Sequence, residues 1–187
     1  MSHATKVYVT KSGEEIFGVM AEFKNPADLY HAAEKTRDAG FTHWDVYTPF
    51  PIHGMEEAMG VKRTILPVIV FVMGISAAGL GYLMQWWMSR DYPLPVQGKP
   101  YDAWEAYIPI TFELGILISA FTALFGMLIM NDLPLWFHPL FNRERFLRVS
   151  DDRFVIAIES KDSRFDPEKT KAFLSGAGAT HVEFVEQ

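Results

Sequence analysis

The sequence predicts an α+β protein with transmembrane helices, in which a split βαβ+βαβ soluble domain is interrupted by a two-helix transmembrane hairpin. Three observations predict it. The middle of the chain holds two apolar runs, each long enough to cross a bilayer. Each flank reads as strand, helix, strand. The helix-to-strand joints of the two flanks match, Ala39-Gly40-Phe41-Thr42-His43 against Ala177-Gly178-Ala179-Thr180-His181.

Residues 1–15 are polar, lack an apolar core segment and read as an N-terminal tail with no visible signal peptide. Residues 16–48 form the first βαβ half. Phe17–Phe23 is strand-like, Asn25 caps a helix with Pro26 at its first position, Gly40 ends it, and a second strand runs from Phe41 to Thr48. Residues 49–63 are a linker of proline and aromatic residues, with Tyr47, Pro49, Pro51 and His53 in or beside it.

Residues 64–89 are the first expected span and hold no charged side chain. Trp86 and Trp87 sit where interfacial anchors belong. Residues 90–105 are a proline-rich connecting loop expected to have neither helix nor strand. Residues 106–131 are the second span, with one charge, Glu113. Gly74, Ala78 and Gly81 share a helical face of the first span; Gly115, Ser119, Thr122 and Gly126 share one on the second. Small residues let helix backbones approach closely in lipid. These stripes either face each other and close a hairpin or receive a helix from another subunit.

Residues 132–150 form a second linker, LPLWFHPLF at its heart, with Pro134, Trp136, His138 and Pro139. Residues 151–187 form the second half: strand Phe154–Glu159, a helix opened by Asp166-Pro167 and ended near Gly178, and strand Thr180–Val185. Neither half has enough core alone. Packed together they give a ferredoxin-like βαββαβ sandwich, which requires both ends on one side of the membrane. Lysine and arginine counts agree: two in the loop (Arg90, Lys99) against five in the outer flanks (Lys62, Arg63, Arg143, Arg145, Arg148). By the positive-inside rule, the loop is periplasmic or extracellular and both termini are cytoplasmic.

A net charge of −6 argues against nucleic acid as partner. With no cysteine there is no disulfide, no thiolate-held iron–sulfur cluster, no C-x-x-C-H haem and no cysteine lipidation. None of the six histidines (His3, His31, His43, His53, His138, His181) lies in a span, so the chain's histidines cannot hold a b-type haem at membrane depth. His43 with Asp45 and His181 with Glu183 look like four metal ligands. The βαββαβ order puts them on opposite edge strands, so no metal site is expected. No Walker loop, G-x-G-x-x-G, H-E-x-x-H or nucleophile elbow is present. Glu113 has three readings: snorkelling to the outer interface, bonding a partner helix, or handling protons. The linkers read as rigid interfacial joints, with a functional histidine as the second reading.

With YTPFPIHGM before the first span, a lone Glu113 early in the second and LPLWFHPLF after it, the chain resembles the ActD subunit of alternative complex III, from Phe17 to about Val185. That resemblance implies a bacterial inner-membrane quinol oxidoreductase complex, of which this chain is a non-catalytic accessory subunit without cofactors of its own. It implies c-type haems and iron–sulfur clusters in partner subunits, and polytopic quinol-binding subunits and lipids as neighbours. A membrane-tethered ferredoxin-like sensor or regulatory module is the alternative; a small transporter has too little polar lining.

Overall fold

The computed structural model describes residues 8–9, 13–95 and 97–187, so most of the expected N-terminal tail lies outside the described residues. In chain order the elements are β1 (Ile16–Phe23), α1 (Pro26–Asp38), β2 (Trp44–Tyr47), α2 (Met55–Met59), α3 (Leu66–Asp91), α4 (Ile108–Met130), α5 (Glu144–Leu147), β3 (Phe154–Glu159), α6 (Pro167–Gly176) and β4 (His181–Glu186). Short 3-10 turns lie at Trp104–Tyr107, Pro139–Asn142 and Arg148–Ser150. The chain divides into two compact units, Arg63–Leu135 and the two flanks.

The flanks build one four-stranded sheet of order β2-β3-β1-β4, antiparallel throughout. This is the ferredoxin-like order. β1 meets β3 from Gly18 opposite Glu159 to Phe23 opposite Phe154. Its other edge meets β4, with an irregularity between Ile16 and Gly18. Gly18 is required by close approach: a Cβ there would overlap the Ile158 carbonyl oxygen.

The helices start where their caps dictate. The Asn25 side chain accepts from the Asp28 N–H at 2.8 Å, and Asp166 accepts from the Lys169 N–H at 3.0 Å. Proline follows each cap, where its missing N–H leaves no helix bond unmade. The residues after the C-caps, Gly40 and Gly178, have φ of 78° and 109°, so the matched joints are left-handed turns that favour glycine.

Side chains alternate across the sheet. Val19, Ala21, Phe23, Ile156 and Ile158 pack under α1 and α6 with Leu29, Leu174 and Phe165. The other face carries Met20, Val155, Ala157 and Val185, covered by Leu140, Phe146 and Val149 from the return segment. Both faces are therefore buried, which is why β1 and β3 read as nearly continuous apolar runs. Burying Phe146 contributes on the order of 2 kcal/mol.

The linkers hold more structure than extended joints. In the first, α2 tucks Ala58 into the core, with Ile52, Met55 and Met59 packed beside it. In the second, α5 and its flanking 3-10 turns form the cover of the second sheet face. Length hid both, because four or five helical residues show no periodicity. The loop boundaries also shift: α3 runs on to Asp91, and Trp104 and Glu105 lie in a 3-10 turn.

The strand expected from Phe41 starts only at Trp44, and Asp162 is the reason. Its side chain is fully buried. One oxygen accepts from the N–H groups of Thr42 (2.6 Å) and His43 (2.8 Å) and from the Thr42 hydroxyl (3.1 Å), and the other accepts from the Arg164 N–H (2.8 Å). The two N–H groups just ahead of β2 are thus bound to a carboxylate from the second half; of these the His43 N–H lies on the β3 side, where the His43 carbonyl still accepts from the Glu159 N–H at 3.0 Å. Burial alone would raise the Asp162 pKa. The N–H groups of Arg164, Thr42 and His43, with the Thr42 hydroxyl, outweigh burial and hold it below the ordinary 3.8. A depressed folded pKa means this stabilisation is fully present above 3.8 and is lost as pH falls below it toward the folded value. Asp162→Ala is expected to cost about 1–3 kcal/mol by orphaning those donors. Denaturant unfolding of the full chain in detergent, followed by tryptophan fluorescence, should show that loss at neutral pH and a smaller difference in acid. An equal loss at both pH values would show that the ionised carboxylate is not what stabilises.

Candidate functional site

The central unit is a pair of antiparallel helices, α3 and α4, both long and apolar enough to cross a membrane. The small residues meet inside the pair. A Cβ on Gly74 would overlap the Ser119 hydroxyl; one on Gly115 would lie 3.3 Å from the Ala78 Cβ. Added carbons at Gly81 and Gly126 would come within 2.8 Å of Leu114 and 2.7 Å of Leu66. Ser119 donates its hydroxyl to the Gly115 carbonyl at 2.7 Å, and Thr122 is half-buried on the same helix. Of the two arrangements the sequence leaves open, the stripes here face each other. One side of the pair carries an apolar groove of about 770 Å³, with Phe71, Ile75, Phe112 and Ile116 among its walls.

Near the connecting loop, a polar knot closes the hairpin. Gln85 is only 7 % exposed; its Nε2 donates to the Gly81 carbonyl at 3.0 Å and to the Tyr107 carbonyl at 3.1 Å. The Tyr107 hydroxyl donates to Ser89 Oγ (2.7 Å), and Ser89 donates to the Tyr101 carbonyl (2.5 Å). Arg90 pairs with Asp102 at 3.1 Å and lies over the Trp86 ring. Sequence reasoning passed over Gln85. Its signal is visible in hindsight, since it is the one amide in residues 64–89.

Glu113 stands outside this network. It is exposed, one turn into α4, with Ile116 and Leu117 exposed beside it. It has no hydrogen-bonding or ion-pairing partner among the described residues.

The linker residues separate by role. The Tyr47 ring packs edge-on against Phe146 at 4.9 Å; burial, with Asp45 and Glu159 nearby, pushes its hydroxyl pKa well above the ordinary 10.0. Pro49 is half-buried and Pro51 exposed; between them Phe50 sets its ring edge against Phe154. His53 is exposed and has no partner among the described residues. His138 is structural in its geometry: Nδ1 accepts from the Leu140 N–H at 3.3 Å, capping the turn that Pro139 opens, and its ring abuts Phe17. Pro134 follows a cis peptide and is exposed, and Trp136 is 93 % exposed.

His43 and Asp45 belong to the β2 edge and His181 and Glu183 to the β4 edge, with β3 and β1 between. His181 lies 3.4 Å from Glu183, and His43 lies 3.8 Å from Asp162. Among the described residues no three potential ligands converge on a metal position.

The glycine contacts make a direct test. Gly74→Val pushes a branched side chain into Ser119 and should cost about 1–3 kcal/mol through overpacking. Gly79→Val, with open space at its Cβ, should be neutral by comparison. Thermal unfolding of both variants in detergent measures the difference; equal losses would mean that the stripe does not hold the helices together.

A comparison with curated proteins gives no match. A family model described as alternative complex III, ActD subunit, matches residues 17–184. That span takes in both halves of the sheet, both linkers and the apolar pair between them, and the chain belongs to the ActD subunit family of alternative complex III.

Proposed function

We propose that this chain is a non-catalytic accessory subunit of a quinol-oxidising electron-transfer complex, packing its hairpin against polytopic quinol-binding subunits. Both termini then face the cytoplasm, and haems and iron–sulfur clusters belong to partner subunits. Family membership supports the setting. The observation that carries the packing role is Glu113. A carboxylate exposed among apolar side chains within a membrane helix is costly unless something solvates or bonds it. The chain offers it nothing among the described residues, so a partner helix is the natural source of a donor. The arginine excess on the outer flanks supports the orientation.

Two measurements test the reading. Mild detergent extraction followed by native electrophoresis should show the chain migrating with haem-staining material; a small haem-free species would defeat it. Glu113→Gln still donates and accepts, and should assemble normally with unchanged quinol turnover. Glu113→Ala should lower complex yield through a loss of about 1 kcal/mol. Normal assembly with slowed turnover for Gln would instead assign Glu113 to proton handling, since an amide does not titrate.

A further inference from the structure

A pocket of about 480 Å³ opens at the end of the sheet where β1 finishes and β3 and β4 begin. Its floor is Glu22, 5 % exposed, on the sheet face opposite α1 and α6. One Glu22 oxygen accepts from Arg145 Nη1 at 3.0 Å, and the other pairs with Arg153 Nη1. Lys24, exposed on the rim, has no ion-pair partner among the described residues. Thr180 fixes one wall by donating its N–H (2.8 Å) and its hydroxyl (2.9 Å) to the Glu22 carbonyl, and His181 adjoins it.

The charges do not cancel. Lys24, Arg145 and Arg153 line the pocket together with two carboxylates, the buried Glu22 and the rim Asp152, which leaves one positive charge over. The rim carboxylate of Asp152 is already engaged, accepting from Arg148 at 2.6 Å and lying 3.5 Å from Arg153 Nε. A guanidinium carries five N–H donors in a planar fork, and Arg145 commits only Nη1 to Glu22. Glu22 therefore holds two forks in fixed positions with donors to spare, so little side-chain entropy remains to be lost on binding an oxyanion. A free cation beside two held guanidiniums suits the tetrahedral, multiply charged oxygens of a phosphate.

Position narrows the source. Arg145 lies ten residues beyond Leu135, the last residue of the apolar unit. Even fully extended, that segment reaches only about 34 Å. That tether keeps the pocket within reach of the headgroup layer, where anionic lipids attract basic residues that come within about a Debye length. The volume also exceeds what one phosphate fills, leaving room for the glycerol of a headgroup. We propose that the Glu22–Arg145–Arg153 pocket, with Lys24, is a phosphate-binding site filled by the headgroup of an anionic phospholipid. This does not depend on the assembly role.

The test uses the full-length chain, with whatever subunits copurify, in nanodiscs of phosphatidylcholine alone or mixed with phosphatidylglycerol. Native mass spectrometry reads the lipid retained. Wild type should keep phosphatidylglycerol in preference to phosphatidylcholine. Lys24→Glu, at an exposed position that leaves the Glu22 pairs intact, should cut that retention about tenfold or more, and Arg145→Lys should weaken it through loss of the fork. Unchanged retention in both variants would place the lipid elsewhere and overturn the site. Hydrogen exchange in phosphatidylcholine discs, with inorganic phosphate added, covers the other source. Protection at residues 22–24 and 144–147 without phosphatidylglycerol retention would overturn the lipid assignment in favour of soluble phosphate. Neither retention nor protection would reduce the cluster to a structural ion triad and overturn the proposal.

Discussion

β1 lies between β3 and β4, and β2 pairs only with β3, so neither edge of β1 touches a strand of its own half. Among the described residues, β1 and β2 pair only with the strands that come after the hairpin, apart from the Ile16 N–H bonded to the Tyr8 carbonyl and a lone Val9–Glu15 bridge. Helix α1 pairs its own backbone groups, but β1 and β2 cannot complete their ladders until the rest of the chain has returned. The insertion must therefore bring the chain back to the side it left, which two spans do and one or three do not. It also follows that the two halves stand or fall together, with the burial of Val19, Ala21 and Ile156 shared between them.

The return segment adds a second dependence. A four-stranded sheet with both helices on one face leaves the other face bare. Here Leu140, Phe146 and Val149 cover it, all drawn from the residues between α4 and β3. The stretch that leaves the apolar unit is thus also a layer of the soluble fold. Tyr47, the last residue of β2, packs on Phe146, and Phe50 just beyond it packs on Phe154, so aromatic contacts join the outgoing and returning chain. Arg145 and Arg143 extend this layer by pairing with Glu22 of β1 and Glu186 of β4.

Much of this was legible in the sequence, for reasons that can be named. The caps at Asn25 and Asp166, the left-handed glycines at 40 and 178 and the matched joints fixed both βαβ halves and, with them, the strand order. The long apolar runs marked the two helices, while the small-residue spacing left open what each stripe faces. What stayed hidden depended on long-range partners. Asp162 reads as one acidic residue in a loop, yet it shortens β2 by capturing Thr42 and His43. Glu22 is one polar residue near the end of an apolar strand, and only the arrival of Arg145 and Arg153 shows why a carboxylate sits at a buried position. The short helix α2 and the cover around α5 carry too few residues to show a period. Of the linker histidines, alike in sequence, His138 caps a turn against Phe17 and His53 stands exposed.

Away from the helix ends, the apolar helices carry two strongly polar side chains, Gln85 and Glu113, and these show how such a chain divides its polar groups. Gln85 faces inward, and its amide is answered by two carbonyls, one of them from the opposite helix. Removing it would delete the amide's bond from α3 to the start of α4, so it acts on the hairpin itself. Glu113 lies on the opposite kind of surface, among exposed Ile116 and Leu117, where the hairpin's own stability gains nothing from it. On the proposed assembly, a carboxylate in that position is costly in the isolated chain and is answered when a partner's donor arrives, which would favour the assembled subunit over the free one. The same asymmetry discriminates between neighbours: an apolar helix docked there would leave the charge unanswered, whereas a helix carrying a donor at matching depth would satisfy it.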